Sequence, residues 1–247
     1  MLSTPLSKKQ NISNQSQASQ SGSELILDNM RAAMALIGSY RYELLGEASL
    51  DAGGIPIGVP ISVQGAVESS AAESSFETSF MGLPILIESV QEGSNFYVKD
   101  SFTGVWEKSS HHSIGLITSD FWSLGGKDVL DLPYKLNAPG GNLLDSGRHT
   151  FVLSDGSGSQ IFLDLLGAAD SSTPFLLDDL NVTLEIESET YRVSKIETQF
   201  TIVEGGRFFS ESLGMSGLYE LGSAKIQFQV SFSHYDAVFD IKIPNLP

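Results

Sequence analysis

The sequence predicts an α+β fold in which one large, curved, mostly antiparallel sheet of about ten strands is backed by helices. Three observations carry this expectation. Apolar and polar residues alternate with period two along most of the chain, one early stretch repeats apolar residues at helical spacing, and parallel strands never alternate with crossover helices.

The first 22 residues, MLSTPLSKKQNISNQSQASQSG, are rich in Ser, Gln and Asn. They hold too little apolar surface to offset the entropy of ordering, so a flexible polar tether is expected, either a gene-start remnant or a spacer separating an anchored domain from a membrane. Residues 23–247 then form the folded domain. Ile26, Met30, Ala33 and Ile37 recur at helical spacing, with Ser23 as N-cap and Gly38 as stop. Strands follow in Tyr40, Tyr42 and Leu44, in Ile57, Val59, Ile61 and Val63, and in Phe76, Thr78 and Phe80. Ile85 and Ile87, Phe96 and Val98, and Val105 and Trp106 continue the meander, with a turn over 100–104.

Residues 109–145 break this rhythm with Gly, Pro and Asn, so short helices and loops are expected there. Strand character returns at 149–153, and Ser159 and Gly167 bracket a short helix over 160–166. Val182, Leu184 and Ile186 alternate with polar residues, as do Ile226, Phe228, Val230 and Phe232. The stretch 191–204 reads as a long strand, and 238–243 as one that closes a sheet edge before Pro244.

Composition narrows the function. The 247 residues carry 14 Lys and Arg against 30 Asp and Glu, a formal charge of −16 that repels phosphate backbones and argues against nucleic acid as a partner. Apolar residues make up 41% of the chain, enough for a core, and one domain can accommodate this length. The absence of cysteine excludes disulfides, thiolate metal sites and a cysteine nucleophile. No run reaches the ~18 apolar residues of a spanning helix, and the first residues lack the apolar stretch of a signal peptide.

The candidate chemistry is sparse. His111 and His112 are adjacent, but neighbours on an extended chain point to opposite faces and no third ligand stands at a useful spacing, so a polar loop is expected. A catalytic site would need His149 or His234 to converge with an acid such as Asp120 or Asp236. No nucleophile elbow, Walker loop, Rossmann glycine pattern or zinc-protease helix motif occurs. The Ser154 to Gly158 run lacks the Lys and ordered acids of a phosphate or calcium loop. Asp178, Asp179, Glu185, Glu187 and Glu189 could offer oxygen ligands to calcium, but at alternating strand positions they read as a solvated face. Asn181-Val182-Thr183 matches a glycosylation sequon inside an ordinary strand. No metal, no cofactor and no catalytic residue is expected.

The aromatic series Phe76, Phe80, Phe96, Phe151, Phe200, Phe228 and Phe232 occupies apolar positions. Such rings either interlock in a solid core or line a groove, and pattern alone favours the solid core.

Several stretches together resemble the LppX/LprG-type lipoproteins and related lipoprotein-carrier (LolA/LolB-like) domains. They are the opening helix running into SYRYELLGEASL, the segment SFETSFMGLPILIESVQEGSNFYVKDSFTGVWEKSS, and the later YRVSKIETQFTIVEGG and AKIQFQVSFSHYD. Within them, Asn95-Phe96-Tyr97-Val98-Lys99 followed by Gly104-Val105-Trp106-Glu107-Lys108 is similar to a recurrent phrase of that family. The resemblance covers residues 23–243 in order of elements. It implies an unclosed half-barrel that holds acyl chains between its concave face and the covering helices. The cavity would be lined by Ile26, Met30 and Ile37 of the helix and by the phenylalanine series, with Ile114, Leu116, Phe121 and Leu124 as a lid. A non-catalytic, monomeric carrier of lipid or of an acylated lipoprotein is implied, acting in the periplasm or at the cell surface with a membrane-anchored donor or acceptor. The signal peptide and lipidated cysteine of that family are absent from this sequence, so either it starts downstream of such an anchor or it is not a lipoprotein. The alternative is an envelope interaction domain with a filled core and an acidic binding face; a hydrolase built on His149 or His234 is the third reading.

Overall fold

The structure of the protein, a computed structural model, describes residues 22–68, 70–80, 82–99, 103–109, 113–114, 117–118, 141–144, 148–154, 176–207 and 222–246. The tether at 1–21, the helix expected over 160–166 and most of the interruption at 109–145 lie outside these residues.

One helix, α1 (Gly22–Met34), opens the described chain. Leu27, Met30 and Met34 form its buried stripe, spaced three and four apart as a helix facing a core requires. The helix ends before Ile37 because its last turn tightens: Leu36 N donates to Ala33 O and Ile37 N to Met34 O, both at 3.2 Å, in i to i−3 bonds.

The strands follow in order: β1 (Ser39–Asp51), β2 (Pro56–Glu68), β3 (Ala71–Phe80), β4 (Leu83–Glu92), β5 (Asn95–Lys99), β6 (Trp106–Ser109), β7 (Ser113–Ile114), β8 (Ile117–Thr118), β9 (Gly141–Leu144), β10 (Arg148–Ser154), β11 (Leu177–Glu187), β12 (Val193–Ile202) and β13 (Ala224–Ser233). Eleven of them form one antiparallel sheet in the order β6-β5-β4-β3-β2-β1-β13-β12-β11-β10-β9, and among the described residues β7 pairs only with β8. The sheet is open, with β6 and β9 at its edges, and is the curved half-barrel with an N-terminal helix that the sequence predicts. Two meanders, β1 to β6 and β9 to β13, join where β1 pairs with β13 from Arg41↔Ser233 to Leu50↔Ala224.

Period-two alternation gives the sheet two unlike faces. The inner face carries Tyr40, Tyr42, Leu44, Ala48 and Leu50 of β1, all buried, while Arg41, Glu43, Leu45 and Glu47 point outward and are exposed. The buried stripe of α1 belongs to the same apolar cluster as Val63, Phe151, Val182, Ile186, Phe200, Ile226 and Val230 from the inner face. Two glycines admit close aromatic neighbours on that face. A Cβ at Gly46 would stand 2.6 Å from that of Phe228 on β13, and Gly65 lies directly under the ring of Tyr42.

The segment after β13 departs from the expectation that 238–243 closes the sheet edge. Both sides of β13 are already taken by β1 and β12, so no free edge lies beside it. His234 (φ 53°) and Asp236 (φ 60°) turn the chain back instead. The Asp236 N–H donates to Ser39 O at 2.8 Å and its carboxylate pairs with Arg192 at 2.5 Å. Phe239 N donates to Glu68 Oε1 at 2.6 Å, and Arg41, whose side chain belongs to the outer face, lies 5.2 Å over the Phe239 ring.

The outer face is wet and charged. Glu185 on β11 meets Arg148 of β10 at 2.8 Å and Lys195 of β12 at 2.6 Å, and Lys195 also reaches Glu197 at 2.9 Å. Burial works to raise the Glu185 carboxyl, but hydrogen bonds and charge from Lys195 and then Arg148 outweigh it and hold it below the usual 4.5. Lys195 is shifted up by its bonds to Glu185 and Glu197. Exposed pairs of this kind contribute at most about 1 kcal/mol each.

Replacing Phe200, which is fully buried, by alanine is expected to cost roughly 3–5 kcal/mol, read as a lower urea midpoint at unchanged slope. The pH dependence of the Glu185 network has a definite sign. A carboxyl with a lowered folded pKa contributes stability above about pH 4.5 that is lost as pH falls through the folded value. The stability gap between wild type and Glu185→Gln is therefore expected to be open at pH 7 and to close on acidification, as urea titrations at pH 7 and pH 3 would show.

Candidate functional site

Strand register sets the inner face out as transverse rows. The central row runs Ile87, Phe76, Val63, Leu44, Val230, Ile196, Leu184 and Phe151, from β4 through β3, β2, β1, β13, β12 and β11 to β10. Every member is apolar. At about 4.8 Å per strand the row crosses roughly 34 Å of sheet. A second row passes Ile57, Leu50, Ala224, Ile202 and Leu177.

Cover over these rows is uneven. Val63, Leu44, Val230, Ile196, Leu184 and Phe151 are each no more than 5% exposed. Ile87 and Phe76 at the β3–β4 end are only half-buried, and so are Ile57, Val59, Ile61 and Ile85 on β2 and β4. The apolar layer is thus most fully covered over β1 and β10 to β12, while on β2 to β4 it is enclosed at Val63 and only half-covered at Ile57, Val59, Ile61, Phe76, Ile85 and Ile87. Apolar side chains in register on a partly uncovered strip of sheet can bind hydrocarbon without directional contacts.

The structure brings most of the predicted lining together. Met30, Phe151 and Phe200 lie in the buried cluster, and Ile26, Ile37, Phe76, Phe228 and Phe232 pack against it while remaining partly accessible. Phe200 and Phe228 meet edge to face at 6.5 Å. Phe96 is buried at 4% exposure but stands outside that cluster, on the short strand β5. Phe80 ends β3, and its side chain is outside the described residues. Of the expected lid, Ile114 sits in the β7–β8 hairpin, while Leu116, Phe121 and Leu124 lie outside the described residues.

Polar atoms punctuate this face at one end. The Tyr42 hydroxyl is hydrogen-bonded to Ser74, whose Oγ lies 2.6 Å from that of Ser89 across the β3–β4 pair. Burial, with a contribution from Tyr40, pushes the Tyr42 phenol up, and the bond from Ser74 offsets part of it. Tyr235 donates to Val193 O. Tyr40, Tyr42 and Tyr235 are absent from the lining that the sequence predicts, although Tyr40 and Tyr42 obey the same alternation as the phenylalanines.

The other candidates do not assemble. His149 on β10 stacks on Tyr191 at 6.2 Å, and His234 is exposed beside Ser233. Strands β11 and β12 stand between β10 and β13, so the backbone at His149 and the end of β13 that precedes His234 are roughly 14 Å apart at the usual strand spacing. Asp236 is engaged by Arg192. His111, His112, Asp120 and 155–158 lie outside the described residues. Among the described residues no group of three or more His, Asp or Glu could hold a metal. Glu185 is committed to Arg148 and Lys195, and Glu187 accepts from Thr190 Oγ1 at 2.6 Å. Two hollows of about 640 and 590 Å³ lie elsewhere, one beside Arg41, Glu43, Glu73, Glu88 and Trp106 and reaching Tyr42 and Ser74, the other beside Glu47, Glu197, Gln199 and Gln227. The charged and amide groups in both make them poorer hosts for alkyl chains than the wholly apolar row.

If the β3–β4 end is as thinly covered as its exposure indicates, truncating Phe76 should cost less than half of what truncating Phe200 does. Parallel urea titrations of Phe76→Ala and Phe200→Ala measure the ratio, and equal losses would show the two rings to be equally enclosed.

No family model and no curated protein matches this chain. Solved structures similar to it include LprF from Mycobacterium bovis, at 12% identity over 90% of this chain and 96% of that one with a TM-score of 0.44. The lipoprotein LppX of Mycobacterium tuberculosis is similar at 12% identity over 89% of this chain and 99% of that one, TM-score 0.40. A LolA superfamily protein from Nitrosomonas europaea is similar at 12% identity over 91% of this chain and 94% of that one, TM-score 0.30.

Proposed function

We propose that this chain is a non-catalytic lipid-holding domain over residues 23–247, which shields acyl chains of a lipid or an acylated protein against the inner face of its open sheet. The observation that carries this reading is the central row from Ile87 to Phe151, apolar on every strand and losing its cover toward β3 and β4. An alkyl chain laid along the uncovered strip would gain about 0.8 kcal/mol for each methylene buried, so a few polar contacts suffice to hold it. The polar tether would set such a domain off from a membrane in an extracytoplasmic compartment, where donor and acceptor would be membrane-anchored.

One observation favours the filled-core reading. Phe151, Ile186, Phe200 and Ile202 are wholly buried as the chain stands, so over β10 to β12 the layer holds no room for a guest without movement. In that case the acidic outer face would be the working surface.

Native mass spectrometry of freshly purified protein, followed by solvent extraction, separates the two. A stoichiometric acyl ligand is expected, and Ile61→Asp, on the half-covered strip, should lower its occupancy at least tenfold while the protein stays folded by circular dichroism. A bare wild-type protein that also takes up no added fatty acid would rule the lipid reading out.

A further inference from the structure

The hollow of about 640 Å³ beside Arg41 and Trp106 takes most of its lining from two neighbouring rows of outward-pointing residues. One row runs Glu43, Gln64, Ser75, Glu88, Lys99 and Trp106, from β1 across the sheet to β6. The next runs Arg41, Ala66, Glu73 and Val90, from β1 to β4. At about 4.8 Å per strand, Glu43 and Trp106 stand roughly 24 Å apart along the sheet, so the hollow they share is an elongated trough. The chain after β13 walls one end of it. Phe239, whose N–H is held by Glu68 and whose ring lies under Arg41, leads to Lys242 at the border of the trough. Residues 238–243 thus serve as a wall where the sequence predicts a strand.

The polar groups of this lining are unused by the fold. Among the described residues, Glu43, Gln64, Glu73 and Ser75 make no side-chain hydrogen bond or ion pair, Arg41 meets only the Phe239 ring, and Lys242 has Asp240 at 4.0 Å. The Glu185 network on β10 to β12 is the opposite case, since every charge in it is met. The unused charges also balance. Lys99 neutralises Glu88, which leaves the cations Arg41 and Lys242 against the carboxylates Glu43 and Glu73. Such a trough prefers neither an anion nor a cation; it offers interleaved donors and acceptors to groups that can be both, as hydroxyls are. Apolar surface lies between them. Ala66 and Val90 are 2% and 5% exposed on an otherwise wet face, and Trp106 adds an aromatic ring with Lys99 Nζ 5.9 Å from its centroid. Sugar rings match this combination, packing their C–H faces on apolar and aromatic surface while their hydroxyls bond at the edges.

We propose that this trough binds a neutral oligosaccharide laid across β1 to β6. Its length calls for a chain of several sugar rings rather than a single one. Glu43 and Glu73 accept from the hydroxyls, Arg41 and Lys242 donate to them, and Trp106 gives one ring a surface to stack on. The site is separate from the acyl-chain site and does not depend on it, because no member of the central row from Ile87 to Phe151 lines the trough.

Isothermal titration calorimetry of the full-length protein with maltohexaose, cellohexaose, chitohexaose and the corresponding monomers tests it. At least one hexamer is expected to bind with a Kd of about 1 mM or tighter, and its monomer roughly tenfold more weakly or less. Trp106→Ala and Glu73→Gln are each expected to lower the affinity for that hexamer about tenfold, whereas Glu185→Gln, outside the trough, leaves it unchanged. Glu73→Gln alters shape little, so it reads the site even where Trp106→Ala unfolds the β5–β6 edge. Binding of no hexamer, a hexamer bound no better than its monomer, or an affinity that Glu73→Gln leaves unchanged would overturn the proposal. Hexalysine bound more tightly than every hexamer, and released by salt, would overturn it in favour of a cationic peptide. A protein that binds a hexamer but takes up no fatty acid would remove the acyl-chain reading and leave this one standing.

Discussion

The pairing of β1 with β13 is the constraint on which the rest of the structure depends. Each strand ends one of the two meanders, and their register from Arg41↔Ser233 to Leu50↔Ala224 fixes which residues of either arm share a face. A slip of one residue there would carry Leu44 against Gln229 and turn one arm's apolar set to solvent. The pair is held by matched side chains as well as backbone. Gly46 makes room for Phe228, while Tyr42 opposite Phe232 and Leu44 opposite Val230 bury apolar surface on the inner side of the same two strands. Both strands also hand their apolar faces on to β2 and β12, so the central row remains in phase out to β4 and β10.

The open order of the strands explains why cover is uneven. A closed barrel of this size would enclose its inner face on all sides, whereas a sheet with β6 and β9 as edges must be covered by other parts of the chain. α1 supplies Leu27, Met30 and Met34, which fall in one cluster with residues of β1 and β10 to β13. The chain after β13 helps the same end: Asp236 links Ser39, Gly38 and Arg192, tying the start of β1 to the turn between β11 and β12. The β2–β4 strip has Ile57, Ile61, Phe76 and Ile87 only half covered. That imbalance, rather than any motif, is what distinguishes the inner face from an ordinary core.

Local pattern made the strands legible because alternation follows from the backbone itself: successive side chains point to opposite faces whatever the strand pairs with. Phe200 and Phe151 could therefore be assigned to an apolar face from their neighbours alone, and the helix from Ile26 and Met30. Long-range placement was not legible in this way. The stretch 238–243 alternates as well as many strands do, yet forms none, because whether an alternating segment pairs depends on a free edge and β13 has no free edge left. The helix end was misjudged by a turn because Ile37 continues the apolar spacing while its backbone has already tightened. Nor could alternation separate Phe76 from Phe200, since it reports the face on which a residue lies and says nothing of what lies above it. Nor does alternation show that the Tyr40 hydroxyl, buried among Tyr42, Phe232 and Tyr235, has no hydrogen-bond partner among the described residues.

The charge of −16 has a physical place in this arrangement. Acids sit at outward positions of the strands, as Glu43 and Glu47 on β1 and Glu197 on β12, and basic residues on adjacent strands neutralise part of them, Arg148 and Lys195 around Glu185 and Lys99 beside Glu88. A sheet with an incompletely covered apolar face risks association through that face. A strongly negative outer surface opposes it by mutual repulsion between copies, at a range set by the salt concentration. Because the two functions occupy opposite faces of the same strands, substitutions at odd and even positions act on separate properties: Glu43 and its outward neighbours on solubility, Leu44 and its inward neighbours on the apolar layer. The division lets the inner strip stay open without requiring the protein to bury it against a second copy.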